Sequence, residues 1–276
     1  MTILVTGGRG NVARSVVEQL LSAGEKPRVI SRDPAATRLP EEVEVVRGDL
    51  AEPPEPVLDG VSAVFLYADR GGVGGFLDAA RSAGVEHVVL LSASVVTTPG
   101  DPDDPLIGLH ASAERAVLDS GLAWTFLRPG GFATNTLAWA GSIRARGVVA
   151  APYPDSHADL IHEADIAAAA VRALTEPGHE GRAYPLSGPQ SITQREQAEA
   201  IGEAIGRPVE FVPQSPDEYR ATMAELGMGH LADTLLQHLA GQDGRPLPVV
   251  NTVEVLTGRP ARSFAQWAAD HASDFR

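Results

Sequence analysis

The sequence predicts an α/β protein: a doubly wound parallel sheet with a smaller, mostly helical C-terminal lobe. Three observations carry this. Short apolar strands alternate with helical patterns through the first half of the chain, which implies a parallel sheet covered by helices on both faces. His87–Leu91 is a continuous apolar run, as expected of a strand buried on both sides. The second half has shorter, closely punctuated elements whose spacing is mostly helical.

Taken in order, residues 2–6 form the first strand. Val12, Val16, Val17, Leu20 and Leu21 then recur at helical spacing over 11–23, ending at Gly24. Strands are expected at 28–31, 43–46 and 61–66. The run Gly71-Gly72-Val73-Gly74-Gly75 leads into a helix near 76–83. A fifth strand at 87–91 ends at Ser92. After a Pro/Asp loop over Pro99–Pro105 come a helix around 107–120 and a sixth strand at 124–127. Later helices are expected at 132–146, 163–176, 194–205, 216–226, 230–241, 252–257 and 264–272, with strands near 183–186 and 209–212. Thr193 with Glu196, Ser215-Pro216 with Glu218, and Ser263 with Gln266 have capping-box spacing. The division expected is a sheet domain over 1–150, to which the strand near 183–186 returns, and a smaller lobe over 151–276.

The first strand runs straight into Gly7-Gly8-Arg9-Gly10, and a helix follows from Asn11. Glycine permits a sharp turn and a close backbone approach, while the helix start offers free N–H groups to a phosphate. The spacing Gly7-x-x-Gly10-x-x-Ala13, with strand before and helix after, reads as the pyrophosphate site of a Rossmann-type, NAD(P)-binding domain. Gly7, Arg9, Gly10, Asn11 and Val12 are its candidates; the alternative is a mere tight turn. Ligands of such sheets lie beyond the strand ends, here Thr6, Ser31, Gly48-Asp49, Tyr67, Ser92 and Arg128-Pro129.

Composition narrows the partners. The 276 residues suffice for one large domain or a domain with a lobe. There is no cysteine, which excludes disulfides, thiolate nucleophiles and cysteine-based zinc sites. No apolar run approaches the roughly 20 residues of a membrane span, and the chain begins directly on a strand, so no signal peptide is expected. A cytoplasmic protein, monomeric or homodimeric, is the expectation. A net charge of −14 opposes nucleic-acid binding, yet residues 1–50 hold seven basic side chains (Arg9, Arg14, Lys26, Arg28, Arg32, Arg38 and Arg47) against seven acidic ones. That balance suits a small anionic ligand. No metal site is expected: His157, Asp159 and His162 lie close in sequence, but His162-Glu163-Ala164-Asp165 reads as a helix start with acids in its first turn. Nor is there a Gly-x-Ser-x-Gly elbow of a serine hydrolase.

NAD recognition calls for a carboxylate at the end of the second strand, and NADP for a cation. Ser31 is followed there by Arg32, while Asp33 precedes a turning Pro34, so NADP(H) is favoured. The alternative for Arg32 is a solvated surface side chain. Asp49 and Leu50, after the third strand, can meet the edge and face of an adenine, or Asp49 can simply cap a turn.

These pieces resemble the NmrA-like group of the atypical short-chain dehydrogenase/reductase superfamily, which includes NADPH-dependent quinone reductases. The resemblance rests on Thr6–Ala13, Ser31-Arg32, Gly48-Asp49-Leu50, Ala83-Gly84-Val85, Ser120–Thr125, Leu127-Arg128-Pro129-Gly130-Gly131-Phe132, Asp165-Ile166-Ala167 and Leu256–Phe264. It implies that Pro129, Gly130, Gly131 and Phe132 line the nicotinamide and that Asn135 and Trp139 face a small-molecule substrate. The superfamily's ordinary members carry a Tyr-x-x-x-Lys pair on the helix after the fifth strand. Here His110-Ala111-Ser112-Ala113-Glu114 stands in its place, and Lys26 is the only lysine of the chain, so that pair is absent.

The chemistry expected is hydride transfer to a small quinone-like or aromatic carbonyl acceptor, for which the protein supplies position and a dry pocket. Tyr67 can line the nicotinamide or donate a proton, or be a half-buried aromatic at the sheet edge. His110 has a suitable intrinsic pKa, or is bonded to Glu114 one turn away. Ser92 can bond a carbonyl oxygen or line the cofactor, or cap its loop. The alternatives to a reductase are a non-catalytic NADP(H)-sensing regulator and an isomerase, dehydratase or cyclase on the same fold.

Overall fold

In a computed structural model, which describes residues 1–37, 39–53, 55–69, 71–97 and 104–276, the first strand β1 (Thr2–Val5) buries Ile3, Leu4 and Val5 in succession. Consecutive burial of this kind marks a strand covered on both faces. Helix α1 (Asn11–Ser22) follows the glycine turn and buries Val12, Ala13, Val16, Val17 and Leu20 as one stripe. Then come β2 (Lys26–Ser31), β3 (Glu44–Arg47), β4 (Val61–Tyr67), α2 (Gly74–Ser82), β5 (His87–Leu91), α3 (Pro105–Ser120) and β6 (Ala123–Pro129). Most of the expected Pro99–Pro105 loop lies outside the described residues.

The chain continues through a 3-10 segment (Ala133–Trp139), α4 (Ala140–Arg146), β7 (Val148–Ala151), β8 (His157–Ala158), α5 (Glu163–Thr175) and β9 (Arg182–Leu186). It ends with β10 (Ile192–Thr193), α6 (Gln194–Ile205), β11 (Glu210–Pro213), α7 (Pro216–Glu225), α8 (Ala232–Gly241), α9 (Thr252–Thr257), α10 (Phe264–Asp270) and α11 (Ala272–Phe275).

Two compact units form, and the chain alternates between them. The first comprises Met1–Pro129, Glu163–Leu186 and Thr252–Arg259. It holds a seven-stranded sheet in the order β3-β2-β1-β4-β5-β6-β9, parallel at every pairing. The late strand β9 thus pairs with β6, Arg182 opposite Thr125. On one face Phe76 and Leu77 of α2 and Ala113 and Val117 of α3 pack on Val64, Leu66, Val88 and Leu90 of the sheet. On the other, α5 lies along α1. Its run Ala167-Ala168-Ala169-Ala170 is buried; alanine favours helix and lets helices approach closely. Successive strands are added outward in opposite directions from the β1–β4 border, so a crevice opens beyond the carboxyl ends of β1 and β4.

The second unit comprises Gly130–His162, Ser187–Asn251 and Pro260–Arg276. It is mostly helical, with β11 pairing β7 in parallel and β10 pairing β8 antiparallel. All three capping boxes close, at Thr193/Glu196, Ser215/Glu218 and Ser263/Gln266. The helix expected at 132–146 divides: a 3-10 segment runs to Trp139 and only Ala140–Arg146 is α-helical. Gly147, at φ 70°, then releases the chain into β7, a strand too short for its alternation to register in the sequence. The helix expected at 264–272 breaks at His271, beyond which α11 forms.

Trp267 anchors this unit. It is fully buried, stacks on Phe264 and His271 with centroids 5.1 and 4.6 Å away, and meets Phe275 edge-on at 6.0 Å. Trp267→Ala is expected to lower stability by about 3–5 kcal/mol, the usual range for truncating a buried aromatic. Urea unfolding followed by circular dichroism checks this; an unchanged midpoint would mean that the unit's core does not depend on the indole.

Candidate functional site

The crevice beyond β1, β2, β3 and β4 is a cleft of about 300 Å³. Gly7, Gly8, Arg9 and Gly10 form one wall, Ser31 and Arg32 another, and Gly48, Asp49 and Leu50 a third, with Tyr67 and Asp69 closing it. The structure therefore brings together residues that the sequence reading drew from four separate strand ends. Gly7 adopts φ 70°, and the turn closes with the Gly10 N–H donating to the Gly7 carbonyl at 2.8 Å. Gly10 is the N-cap of α1 and has no side chain to offer. Among the described residues, the N–H groups of Asn11 and Val12 meet no protein acceptor. An open helix start of this kind fits a pyrophosphate.

The charges of the cleft are unevenly committed. Asp49 accepts from the Ala51 N–H at 3.1 Å and Asp69 from the Gly71 N–H at 2.8 Å, so each carboxylate is engaged in its own turn. The Ser31 hydroxyl bonds the backbone of Asp33, donating to its carbonyl at 3.0 Å and accepting from its N–H at 3.2 Å. Arg9 and Arg32 are exposed and form no ion pair among the described residues. The residues present fit a dinucleotide.

Tyr67 ends β4 and lies against the glycine turn. A Cβ on Gly7 would come within 2.7 Å of its ring, and one on Gly10 within 3.2 Å of its hydroxyl oxygen. Its N–H donates to the Thr6 hydroxyl at 2.9 Å, and Phe65 packs edge-on at 5.6 Å. Burial drives the phenol pKa well above its ordinary value, a shift the nearby Ala13 N–H only partly offsets.

Farther along the sheet edge, Ser92 is fully buried and donates to Glu114 at 2.6 Å. Arg128, at the end of β6, grips the same carboxylate with two nitrogens at 2.8 and 2.6 Å. The bonds to Glu114 hold the Arg128 pKa up. The hydroxyl proton of Ser92 is thereby committed to Glu114. His110 does not bond Glu114; its Nδ1 is buried without a hydrogen-bond partner among the described residues. Burial lowers its pKa and the Glu114 charge opposes that shift, so the ring is neutral at neutral pH. Glu114 and Arg128 were missed as a functional pair by sequence reasoning: they lie on different elements, and the only signal was a carboxylate where the superfamily has lysine.

Pro129 ends β6, and Gly130, Gly131 and Phe132 open the second unit. The Asp159 carboxylate lies where a Cβ of Gly130 would stand, and a Cβ on Gly131 would come within 2.7 Å of Leu160. The Gly131 N–H donates to Asp159 at 3.1 Å. Burial raises the Asp159 pKa, opposed by that bond and by His238. Phe132 bridges to Ile161 in parallel. Asn135 is exposed, while Trp139 is half-buried against the core of the second unit. His157 faces the Ser191 hydroxyl at 3.3 Å and His162 faces Asp270 at 3.2 Å. No three such side chains gather in metal-binding geometry among the described residues. No helix among them is long and apolar enough to cross a membrane.

Known proteins agree with this geometry. The family described as NAD(P)H-binding matches residues 7–177. The (4-alkanoyl-5-oxo-2,5-dihydrofuran-3-yl)methyl phosphate reductase of Streptomyces griseus is 42% identical, with 99% of each chain covered. An NAD(P)H azoreductase of Xenophilus azovorans is 38% identical, again over 99% of both. The NADPH-dependent quinone oxidoreductase QOR2 of Escherichia coli, solved with NADPH, superposes with a TM-score of 0.79 at 27% identity, covering 97% of this chain and 99% of that one. The chain belongs to the NAD(P)H-binding family, as an NAD(P)H-dependent oxidoreductase on the atypical short-chain dehydrogenase/reductase fold.

Proposed function

We propose that this protein is an NADPH-dependent reductase of small conjugated acceptors, quinone-like or aromatic carbonyl compounds. The observation that carries the choice of cofactor is the pair of exposed arginines, Arg9 and Arg32, without an ion-pair partner among the described residues, at a cleft whose carboxylates each accept a bond from their own turn. A 2′-phosphate finds a cation there, and the end of β2 offers a bare ribose an arginine where NAD recognition calls for an acid. In this reading Gly7, Gly10, Asn11 and Val12 hold the pyrophosphate through backbone N–H groups, Arg32 and Ser31 hold the adenosine phosphate, and Leu50 covers the adenine beside Asp49. The unit that carries Asn135 and Trp139 serves as the substrate lobe, entered through Pro129, Gly130, Gly131 and Phe132.

The class of acceptor follows from what the related reductases share. A dihydrofuranone bearing acyl and oxo groups, an azo compound and a quinone all present an electron-poor conjugated double bond, which accepts a hydride with little help from an acid. The bound nicotinamide supplies that hydride. The chain's own part is to fix the acceptor and to steady the charge that develops on it. His110, a neutral imidazole on α3 one turn before Glu114, is the group we assign to hydrogen-bond the acceptor oxygen. Ser92 acts through Glu114, holding the carboxylate that spans α3 and the end of β6.

Purified protein is expected to oxidise NADPH when offered a panel of quinones, conjugated furanones and azo dyes. Tight NADPH binding with no turnover on any of them would defeat the reductase reading. Arg32→Ala should weaken NADPH by about tenfold or more, the loss of one charge-assisted hydrogen bond, and leave NADH nearly untouched. Fluorescence titration with both cofactors reads this, and equal losses would move the phosphate contact to Arg9. The pH dependence has a definite sign. Because burial lowers the His110 pKa, the neutral ring persists through neutral pH, and kcat should stay level there and fall only below the ordinary histidine range. His110→Gln should lower kcat by about tenfold or more and abolish that acid limb. An acid limb that survives the substitution would assign it to another group.

A further inference from the structure

Tyr67 is built into the glycine turn. Its ring occupies the space beneath Gly7, its hydroxyl lies beside Gly10, and the Ala13 N–H offsets part of the rise that burial gives its pKa. Its own N–H is held by Thr6, the last residue before the turn, and its ring is steadied by Phe65 from the same strand. The tyrosine therefore contacts the turn at its entry, its floor and its exit. The helix start explains why such a contact matters. A helix leaves its first N–H groups without intrahelical acceptors, and a side chain at the N-cap normally takes one of them. Gly10 cannot. The Tyr67 hydroxyl oxygen, brought by β4 to 3.2 Å from where a Cβ of Gly10 would stand, lies beside that helix start.

We infer that Tyr67 is the positioning residue of the pyrophosphate turn: it caps α1 from the neighbouring strand and holds Gly7–Gly10 in the shape that leaves the Asn11 and Val12 N–H groups to the ligand. This rests on the cofactor reading above and gives Tyr67 a role other than proton donor. A phenol wedged under the turn, with its oxygen beside a helix start, orders the seat for the phosphates rather than serving the acceptor. The glycines follow from the same contact. At Gly7 a side chain would run into the ring, and at Gly10 it would press on the hydroxyl. The turn is therefore shaped on its protein side by an aromatic residue as well as on its ligand side.

The test separates binding from turnover. Tyr67→Phe keeps the ring and removes only the oxygen. It is expected to leave the melting temperature of the cofactor-free protein within a few degrees of wild type and to weaken NADPH and NADH alike by about three- to tenfold in a fluorescence titration, with the KM for cofactor moving more than kcat. Tyr67→Leu, which removes the wedge as well, should weaken both cofactors further. Equal loss for the two cofactors sets this residue apart from Arg32, which acts on NADPH alone. Wild-type affinity in Tyr67→Phe would overturn the proposal. So would a tenfold fall in kcat with unchanged cofactor affinity, because that result would make Tyr67 the proton donor. Failure of the wild-type protein to bind either cofactor would instead overturn the cofactor reading on which the proposal rests.

Discussion

The open N-terminus of α1 is the constraint on which the rest of the site depends. A helix that starts at a glycine leaves N–H groups without acceptors, and a buried, unsatisfied donor costs about 1–3 kcal/mol. The chain meets part of this demand from within, through the Gly7 carbonyl and the approach of Tyr67. The remainder is left for an anion. The crevice is consistent with that choice: arginines at its mouth without an ion-pair partner among the described residues, carboxylates that accept bonds from their own turns, and glycines where the backbone must come close. An acidic protein, at net charge −14, thus keeps a local site for a negatively charged ligand.

A second constraint replaces the superfamily's lysine. The residue in its place, Glu114, is a buried carboxylate, and a buried charge must be paired and hydrogen-bonded. Arg128 meets it with two nitrogens and Ser92 with its hydroxyl, so the ends of β5 and β6 are tied to α3 by one charged group. Such a pair adds little net stability, but removing one member leaves the other stranded, so it specifies an arrangement more than it strengthens one. There is also a chemical consequence. Without an ammonium nearby, no cation offsets the burial that raises the Tyr67 pKa. The proposed chemistry matches this: an acceptor that takes a hydride readily, assisted by the neutral His110 in place of an acid.

What the sequence made legible was local. The turn of Gly7 and Gly10 could be read because strand, glycines and helix are contiguous. The capping boxes could be read because each closes within three residues. The central strands could be read because burial on both faces leaves unbroken apolar runs. What stayed hidden was formed by residues far apart. Tyr67 is sixty residues from the turn it supports, and Ser92, Glu114 and Arg128 come from three elements. The strands β7, β8 and β10 are too short to carry a period, and each is held by a partner elsewhere in the chain. Even at the strand end of β2, Arg32 could be named while the state of Ser31, already bonded to Asp33, could not.

The turn Gly130-Gly131 shows how a motif can have a second cause. Glycines after the sixth strand suggest a backbone kept bare for a ligand. Yet the space beside Gly130 is taken by the Asp159 carboxylate, and that beside Gly131 by Leu160. Both contacts lie inside the second unit and favour glycine whether or not anything is bound. The Gly131 N–H, moreover, is already given to Asp159. A motif at a strand end is thus explained twice, once by packing and once by function, and packing alone suffices here. The turn of Gly7 and Gly10 differs in one respect: its packing partner, Tyr67, accounts for the glycines but leaves the N–H groups of Asn11 and Val12 unspent. Unspent donors, more than the glycines, are what mark the first turn as a place where a ligand belongs.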